Sequence, residues 1–429
     1  MSIKRTTPRH LLLCAAALSL AVPGCADVET TPAGVASNPT TVNDCDFDGS
    51  VDCPGFDLSG AKIAGFDLTK ADLEGADLSG ADLRNAVMVD AKLTEANLEN
   101  ANLSGADLTG ATLTLTHLKG VIFDEETKID SKWVVVRNLV TSGGSGSNLL
   151  GMDLQYANLT GADLSGADLV QAGLKGANLS GANLAGADLT TATLDESVMA
   201  STDLSAAVLN EATMVKADLT GATLNEAILS GVSAKEAILT KADLSTADLS
   251  DVDFSKSTFT GAILVETILT GADFTDTALT NANFTGANLT NAIFKKAVLT
   301  GAQLSETDMT SVDLGGADLV NARLNDADLT GANLATSTLI NAVLEGSVLT
   351  ASTLSGADLT GANLTGCDLT GATMASTDLT DADLTDANLS HAKGMTSASL
   401  VGVVWENTIC PDETKSSDHG DTCAENLTP

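Results

Sequence analysis

Large aromatic side chains are scarce in this 429-residue chain: nine Phe, two Trp and one Tyr make up 3% of it, against 44% hydrophobic residues in all. Globular cores usually take much of their buried area from such rings. Here the apolar fraction is mostly Leu, Ala, Ile and Val, which argues against a conventional enzyme core. Proline is missing from the interior: Pro8, Pro23, Pro32, Pro39, Pro54, Pro411 and Pro429 leave Gly55 to Cys410 without one. Length alone suggests two or three domains of roughly 100 to 200 residues each. So long a Pro-free span instead fits one continuous hydrogen-bonded architecture. Cations are few as well. Lys plus Arg number 21 against 57 Asp plus Glu, a net charge of −36 that excludes a phosphate-neutralising surface and hence nucleic acid as a ligand. The four histidines, His10, His117, His391 and His419, are scattered. Their spacing makes no metal or nucleophilic cluster, and no phosphate loop or nucleophile elbow stands out, so no catalytic residue is assigned and the chain reads as a non-enzyme.

The first cations sit where an export signal needs them. Lys4, Arg5 and Arg9 precede the apolar run Leu11 to Val22, which is too short to span a bilayer. The run ends in Val22-Pro23-Gly24-Cys25, which resembles the bacterial lipoprotein processing box, with Pro23 departing from the usual small residue. That resemblance implies cleavage after residue 24, lipidation of Cys25 and a membrane tether without a transmembrane segment. Ala26 in place of Asp then implies an outer-membrane address, periplasmic or surface-facing; a plain secretory signal is the other reading. Residues 25–43 have a linker composition. Beyond Cys14 and Cys25, Cys45 and Cys53 flank one short loop, Cys410 and Cys423 another, and Cys367 stands alone. Two local disulfides are expected in an oxidising compartment, one outside each end of the Pro-free region.

Self-comparison finds a period of five: Ala71-Asp72-Leu73-Glu74-Gly75, Ala76-Asp77-Leu78-Ser79-Gly80 and Ala81-Asp82-Leu83 follow without a gap. A first block (56–123) places its central residue at Leu58, Ile63, Leu68 and onward to Leu118 and Phe123. A second (152–394) runs from Leu154 to Leu389 with the register shifted by one. Neither a helical period nor strict alternation fits. A coil of short extended segments does, with Ala and Leu inward and Asp or Asn, Ser or Thr, and Gly toward water. The tandem A-[DN]-L-[ST]-G resembles the pentapeptide-repeat family. This implies an all-β, right-handed quadrilateral β-helix with four repeats per coil, and about 12 coils in the second block, roughly 58 Å at strand spacing. Phe254, Phe274 and Phe294, at intervals of twenty, should then lie over one another. Residues 124–151, with Lys132-Trp133, read as an interruption in which a short helix or strand covers a coil edge, or as a hinge or binding loop. Residues 44–55 form a Cys-closed N-terminal segment and 395–429 a C-terminal cap.

Three surface patterns remain. Asp44, Asp46, Asp48, Gly49 and Asp52 stand in an order that resembles calcium loops, with Gly55 where the bidentate Glu would be; a disulfide-closed polar turn is the alternative, and no other cofactor is indicated. Asp recurs before the central Leu and could present an acidic face to a protein partner. Thr270, Thr290, Thr310, Thr330, Thr350 and Thr370 form a column reminiscent of ice-binding solenoids, for which ladder hydrogen bonding between coils is the better explanation. The leading expectation is a non-enzymatic, membrane-tethered structural or interaction scaffold of the cell envelope. The family resemblance also implies an alternative, an acidic DNA-mimic inhibitor of DNA gyrase, and the aspartates another, a calcium-dependent surface adhesin.

Overall fold

The computed structural model describes residues 41–42, 45–47 and 51–428. The signal (1–24), the lipidation candidate Cys25, most of the linker, and Asp44 and Asp48 lie outside the described residues.

Every five residues the backbone makes one isolated parallel bridge to the residue twenty positions on: Asp72 to Lys92, Asp77 to Asn97, Asp82 to Asn102, and so along the chain. Four such units close one coil. The ladder is two-sided, because Leu73 N–H donates to Lys92 O (2.9 Å) above while Asp72 N–H donates to Val51 O (2.8 Å) below. In the unit 76–80 the amides of Asp77, Leu78 and Gly80 donate to neighbouring coils while those of Ala76 and Ser79 donate to Leu73 O and Asp77 Oδ1 in their own, so every amide is used, which explains why no interior proline occurs. The architecture is a right-handed quadrilateral β-helix in two blocks with an interruption.

The core is the coil's axis. Leu73, Leu78 and Leu83 with Ala71, Ala76 and Ala81 are fully buried, and the pattern holds through Leu389 and Ala392. Where the inward Ala is replaced by Ser or Thr, the hydroxyl donates either to a carbonyl of the coil below, as in Thr202 to Leu179 O (2.8 Å), Thr277 to Phe254 O (2.9 Å) and Thr377 to Leu354 O (2.8 Å), or to the carbonyl three residues back, as in Ser197 to Leu194 O (2.6 Å) and Thr307 to Leu304 O (2.7 Å). These buried hydroxyls are tolerated because they are satisfied, whereas that of Ser352 is buried without a partner. Phe254 and Phe274 stack at 5.4 Å and Phe274 and Phe294 at 4.7 Å, with Phe259 and Phe284 meeting Phe274 edge-on at 5.5 and 6.0 Å.

The coil begins earlier than the repeat motif suggests, since Asp52 already bridges Asp72. Ahead of it a hairpin of β1 (Thr41–Val42) and β2 (Cys45–Asp46) is tied on by the Cys45–Cys53 disulfide, with the Phe47 ring 5.4 Å from that of Phe66. Pairing also reaches further into the interruption, where Asp107 bridges Lys128, now twenty-one residues away. The extra residue is taken up in a turn held by Asp124, whose Oδ1 accepts from the N–H of Glu126 (3.1 Å), Thr127 (3.0 Å) and, one coil below, Gly105 (2.9 Å). Helix α1 (Ser131–Ser142) follows, its first turn capped by Asp130, which accepts from Lys132 N–H at 2.9 Å. Val136 and Leu139 bury into the axis between the blocks, and bridging resumes at Asn148 to Asp168. Beside the helix the blocks meet directly: Leu115 N–H donates to Tyr156 O (2.7 Å) and Asn158 Nδ2 to Leu115 O (3.2 Å).

Past residue 394 the solenoid goes on where a separate cap was expected. A 3-10 turn (Met395–Ser397) absorbs one residue, after which Ser399, Val404 and Ile409 bridge Asp378, Asp383 and Asn388 at a spacing of twenty-one. Trp405 therefore fills the central inward position of a coil, 6% exposed, instead of standing outside the repeats as Trp133 does. Ile409 then pairs antiparallel with Lys415, and the Cys410–Cys423 disulfide ties the tail over the last coil. There the Ser416 hydroxyl donates to Trp405 O.

Candidate functional site

The surface is built from one repeated turn. The outward Asp or Asn accepts from the N–H two residues on, and where a Ser or Thr stands there its hydroxyl donates to the same oxygen: Thr220 to Asp218 (2.6 Å), Thr370 to Asp368 (2.5 Å), Ser180 to Asn178 (2.7 Å). These donors hold the carboxyls of Asp57, Asp67, Asp163 and Asp378 below the usual carboxylate range, the hydroxyl acting most strongly. At Asp107 the Lys128 ammonium (2.8 Å) is the first cause, followed by Thr109, and the carboxyl falls to about 2. Much of the acidic surface is therefore engaged by its own turns. The Thr columns have the same origin. Thr290 donates to Asn288 within its own unit (2.7 Å), while a bond between coils, such as Thr300 to Asp318 (3.1 Å), departs from that pattern. The expected coil-to-coil hydroxyl ladder is thus replaced mainly by local bonds, because the acceptor two residues back is nearer.

Two grooves flank α1. One, about 470 Å³, is lined by Leu108, Thr109, Gly110, Leu113, Lys128 and Trp133, among others. The other, about 300 Å³, includes Glu99, His117, Lys119, Val140 and Asn158. Lys132 Nζ lies 4.9 Å from the centre of the Trp133 ring, and the Arg137 guanidinium 5.2 Å from that of Phe123, each over a π face. His117 lines the second groove, whereas His391 pairs with Glu413 (3.1 Å) near the C-terminal end and His419 closes a 3-10 turn (Ser416–His419) there. Of the calcium candidates, Asp46 lies on β2 opposite Thr41 and Asp52 bridges Asp72 in the first coil. Among the described residues no group of three or more His, Cys, Asp or Glu is placed to hold a metal ion. Cys367 is buried, its thiol donating to Leu344 O (3.0 Å) and pushed up to about 11 by burial.

Charge is distributed unevenly around the second block. The column of Asp168, Asp188, Asp248, Asp308, Asp328 and Asp368 shares its face with no Lys or Arg, while Lys175, Lys216, Lys235, Lys256, Lys295 and Lys296 gather along one corner. Sequence reading missed that corner; columns taken at every twentieth residue would have found it.

Fold and surface together define a tandem-repeat solenoid of flat faces and corners. The profile described as pentapeptide repeats matches residues 57–124 and 145–393, and the chain belongs to that family. Among solved structures it is similar to HetL, a pentapeptide repeat protein involved in heterocyst differentiation regulation from the cyanobacterium Nostoc sp. strain PCC 7120: 26% identity over 66% of this chain and 97% of that one, TM-score 0.20. QnrB1, a plasmid-mediated fluoroquinolone resistance protein, matches at 22% identity over 46% of this chain and 83% of its own, TM-score 0.25. A pentapeptide repeat protein from the Arabidopsis thaliana thylakoid lumen matches at 35% identity over 26% of this chain and 66% of its own, TM-score 0.16. No curated protein matches the chain.

Proposed function

We propose that the chain is a non-enzymatic scaffold of the bacterial cell envelope, tethered to the outer membrane through a lipidated Cys25 and presenting its solenoid faces to a protein partner. The observation that carries this reading is the pair of disulfides, Cys45–Cys53 and Cys410–Cys423, which close the solenoid at its two ends and fit an oxidising compartment. The N-terminal signal, the Cys25 box and the linker support it. Among the described residues no helix is long and apolar enough to cross a membrane. The test is fractionation of cells making the full chain or Cys25→Ser, with protease added from outside. Membrane association that needs Cys25, together with protection or cleavage of the solenoid, supports the tether and tells periplasmic from surface display. Unchanged association of Cys25→Ser sinks the tether. Recovery in the cytosol with residues 1–24 intact would instead support the DNA-mimic reading of the acidic surface.

A further inference from the structure

Glu196, Lys216, Glu236, Lys256, Asp276 and Lys296 occupy the same corner of six successive coils, each linked to the next coil by its N–H: Glu196 to Val215 O (2.8 Å), Glu236 to Ser255 O (3.1 Å), Asp276 to Lys295 O (2.9 Å). Their charges alternate strictly, and all six side chains are exposed. At strand spacing the ladder is about 24 Å long. Each residue holds a left-handed φ between 55° and 62°, a conformation that glycine takes at lower cost. In the same six coils the other three corners have no such run: glycine breaks each of them, and the corner from Ala206 to Glu306 has charges of one sign only.

Alternation relieves like-charge repulsion along the column, most strongly where neighbouring rungs pair directly. They do so only once, Lys216 with Glu236 at 3.7 Å, while Glu196 turns to Lys175 (3.4 Å). Lys256, Asp276 and Lys296 make no ion pair. An even, alternating ladder has a second property: read backwards, every sign is reversed. A two-fold axis passing between Glu236 and Lys256 sets Glu196 against Lys296, Lys216 against Asp276 and Glu236 against Lys256 of a second copy. A parallel, in-register pairing would set like against like.

We infer that this corner is a self-complementary interface through which two copies of the chain associate antiparallel. The neighbouring columns obey the same axis. On one side Asp195 comes opposite Lys295. On the other Val198 comes opposite Val298 and Ile238 opposite Thr258; Val198, Val298 and Ile238, at 39%, 39% and 41% exposure, are among the chain's exposed apolar side chains. The interface is isologous and closes at two copies. Being narrow and charged, it is weakened by salt.

Sedimentation velocity on the full chain tests this, using Glu196→Lys/Glu236→Lys/Asp276→Lys and Lys216→Glu/Lys256→Glu/Lys296→Glu, with circular dichroism confirming that each folds. The native chain should dimerise at low salt, with affinity falling about tenfold or more between 50 and 500 mM salt. Each variant alone should be monomeric, and an equal mixture should form a mixed dimer. For direction, Glu196→Cys/Lys296→Cys places two thiols about 24 Å apart within one chain. Oxidation should join two chains in this variant, while Glu196→Cys alone should give no cross-linked dimer. A native chain that stays monomeric at 100 µM and 50 mM salt, variants that dimerise alone, a mixture that does not assemble, or efficient 196-to-196 cross-linking would each overturn the proposal.

Discussion

Phe274 is the most heavily contacted ring in the axis, and replacing it should loosen the rod locally without unfolding it. It is fully buried, stacked between Phe254 and Phe294 and met edge-on by Phe259 and Phe284. Truncation to Ala removes the ring and leaves a void that the flanking coils, pinned by their bridges, cannot collapse into. Buried Phe→Ala changes cost about 3 to 5 kcal/mol, and four ring partners put this site toward the upper end, about 4 to 5 kcal/mol. Leu, the usual resident of this position, keeps most of the apolar area and forfeits mainly the ring-to-ring preference, about 1 to 2 kcal/mol. In a solenoid each coil touches only its neighbours, so the loss should stay near the site. Hydrogen exchange gives the readout. The amides of Phe254, Phe274 and Phe294, which donate to Asp273, Ile293 and Asp313, should exchange about 1000-fold faster in Phe274→Ala and about tenfold faster in Phe274→Leu. The amides of Leu83 and Leu369, many coils away, should keep their native rates. Uniform acceleration along the whole chain would refute the nearest-neighbour argument, and an Ala variant no worse than the Leu variant would refute the packing argument.

Gly394→Ala should destabilise the final coils by about 2 to 3 kcal/mol, seen as a lowered unfolding midpoint, because φ is 81° there and a Cβ would lie 2.7 Å from Ala375 N and 2.9 Å from its Cα. Native Cys367 should resist an aromatic disulfide reagent until the chain is denatured, since burial pushes the thiol up to about 11, and Cys367→Ser should keep the bond to Leu344 O and near-native thermal stability. Asp107 has a folded pKa of about 2 against an ordinary 3.8, so its contribution is complete above about pH 4 and disappears as pH falls through about 2. A thermal-melt series from pH 5 to pH 2 should show a shallower acid loss in Asp107→Asn, which keeps an acceptor for Thr109 but no titrating charge.

The coil and its axis were readable from residues alone because the period repeats so often and because Phe254, Phe274 and Phe294 carry the number of units per coil in their spacing. Both disulfides likewise join the cysteines that flank short loops. Helix α1 was harder to read. Its Val134-Val135-Val136 run favours strand, and it is helical because Asp130 caps it, Val136 and Leu139 plug the axis, and Lys132 reaches Gln155 O (2.8 Å) in the next block. Tertiary contacts decide there what local preference leaves open. The C-terminal continuation was hidden for a different reason. One inserted residue before Ser399 puts Leu400, Trp405 and Cys410 out of step with Leu389, so a motif kept in one register stops while the backbone ladder does not. At the surface, the outward aspartates were visible as charges, but their engagement by the next Ser or Thr depends on turn geometry.

The two single-residue insertions, one before Lys128 and one before Ser399, act as frameshifts that the molecule repairs within a coil. In each case the added residue is held in a corner turn, by Asp124 or by the Met395–Ser397 turn, and pairing with the coil below resumes at an offset of twenty-one, for the single unit of Lys128 ahead of α1 and for Ser399, Val404 and Ile409 at the other end. A globular core would have every later contact displaced by such a change. Here the damage is confined because position is measured against the adjacent coil and not against the start of the chain. A residue can therefore be accommodated at a corner while the axis keeps its Leu and Ala lining; the ladder constrains the cross-section of the rod and leaves its length open.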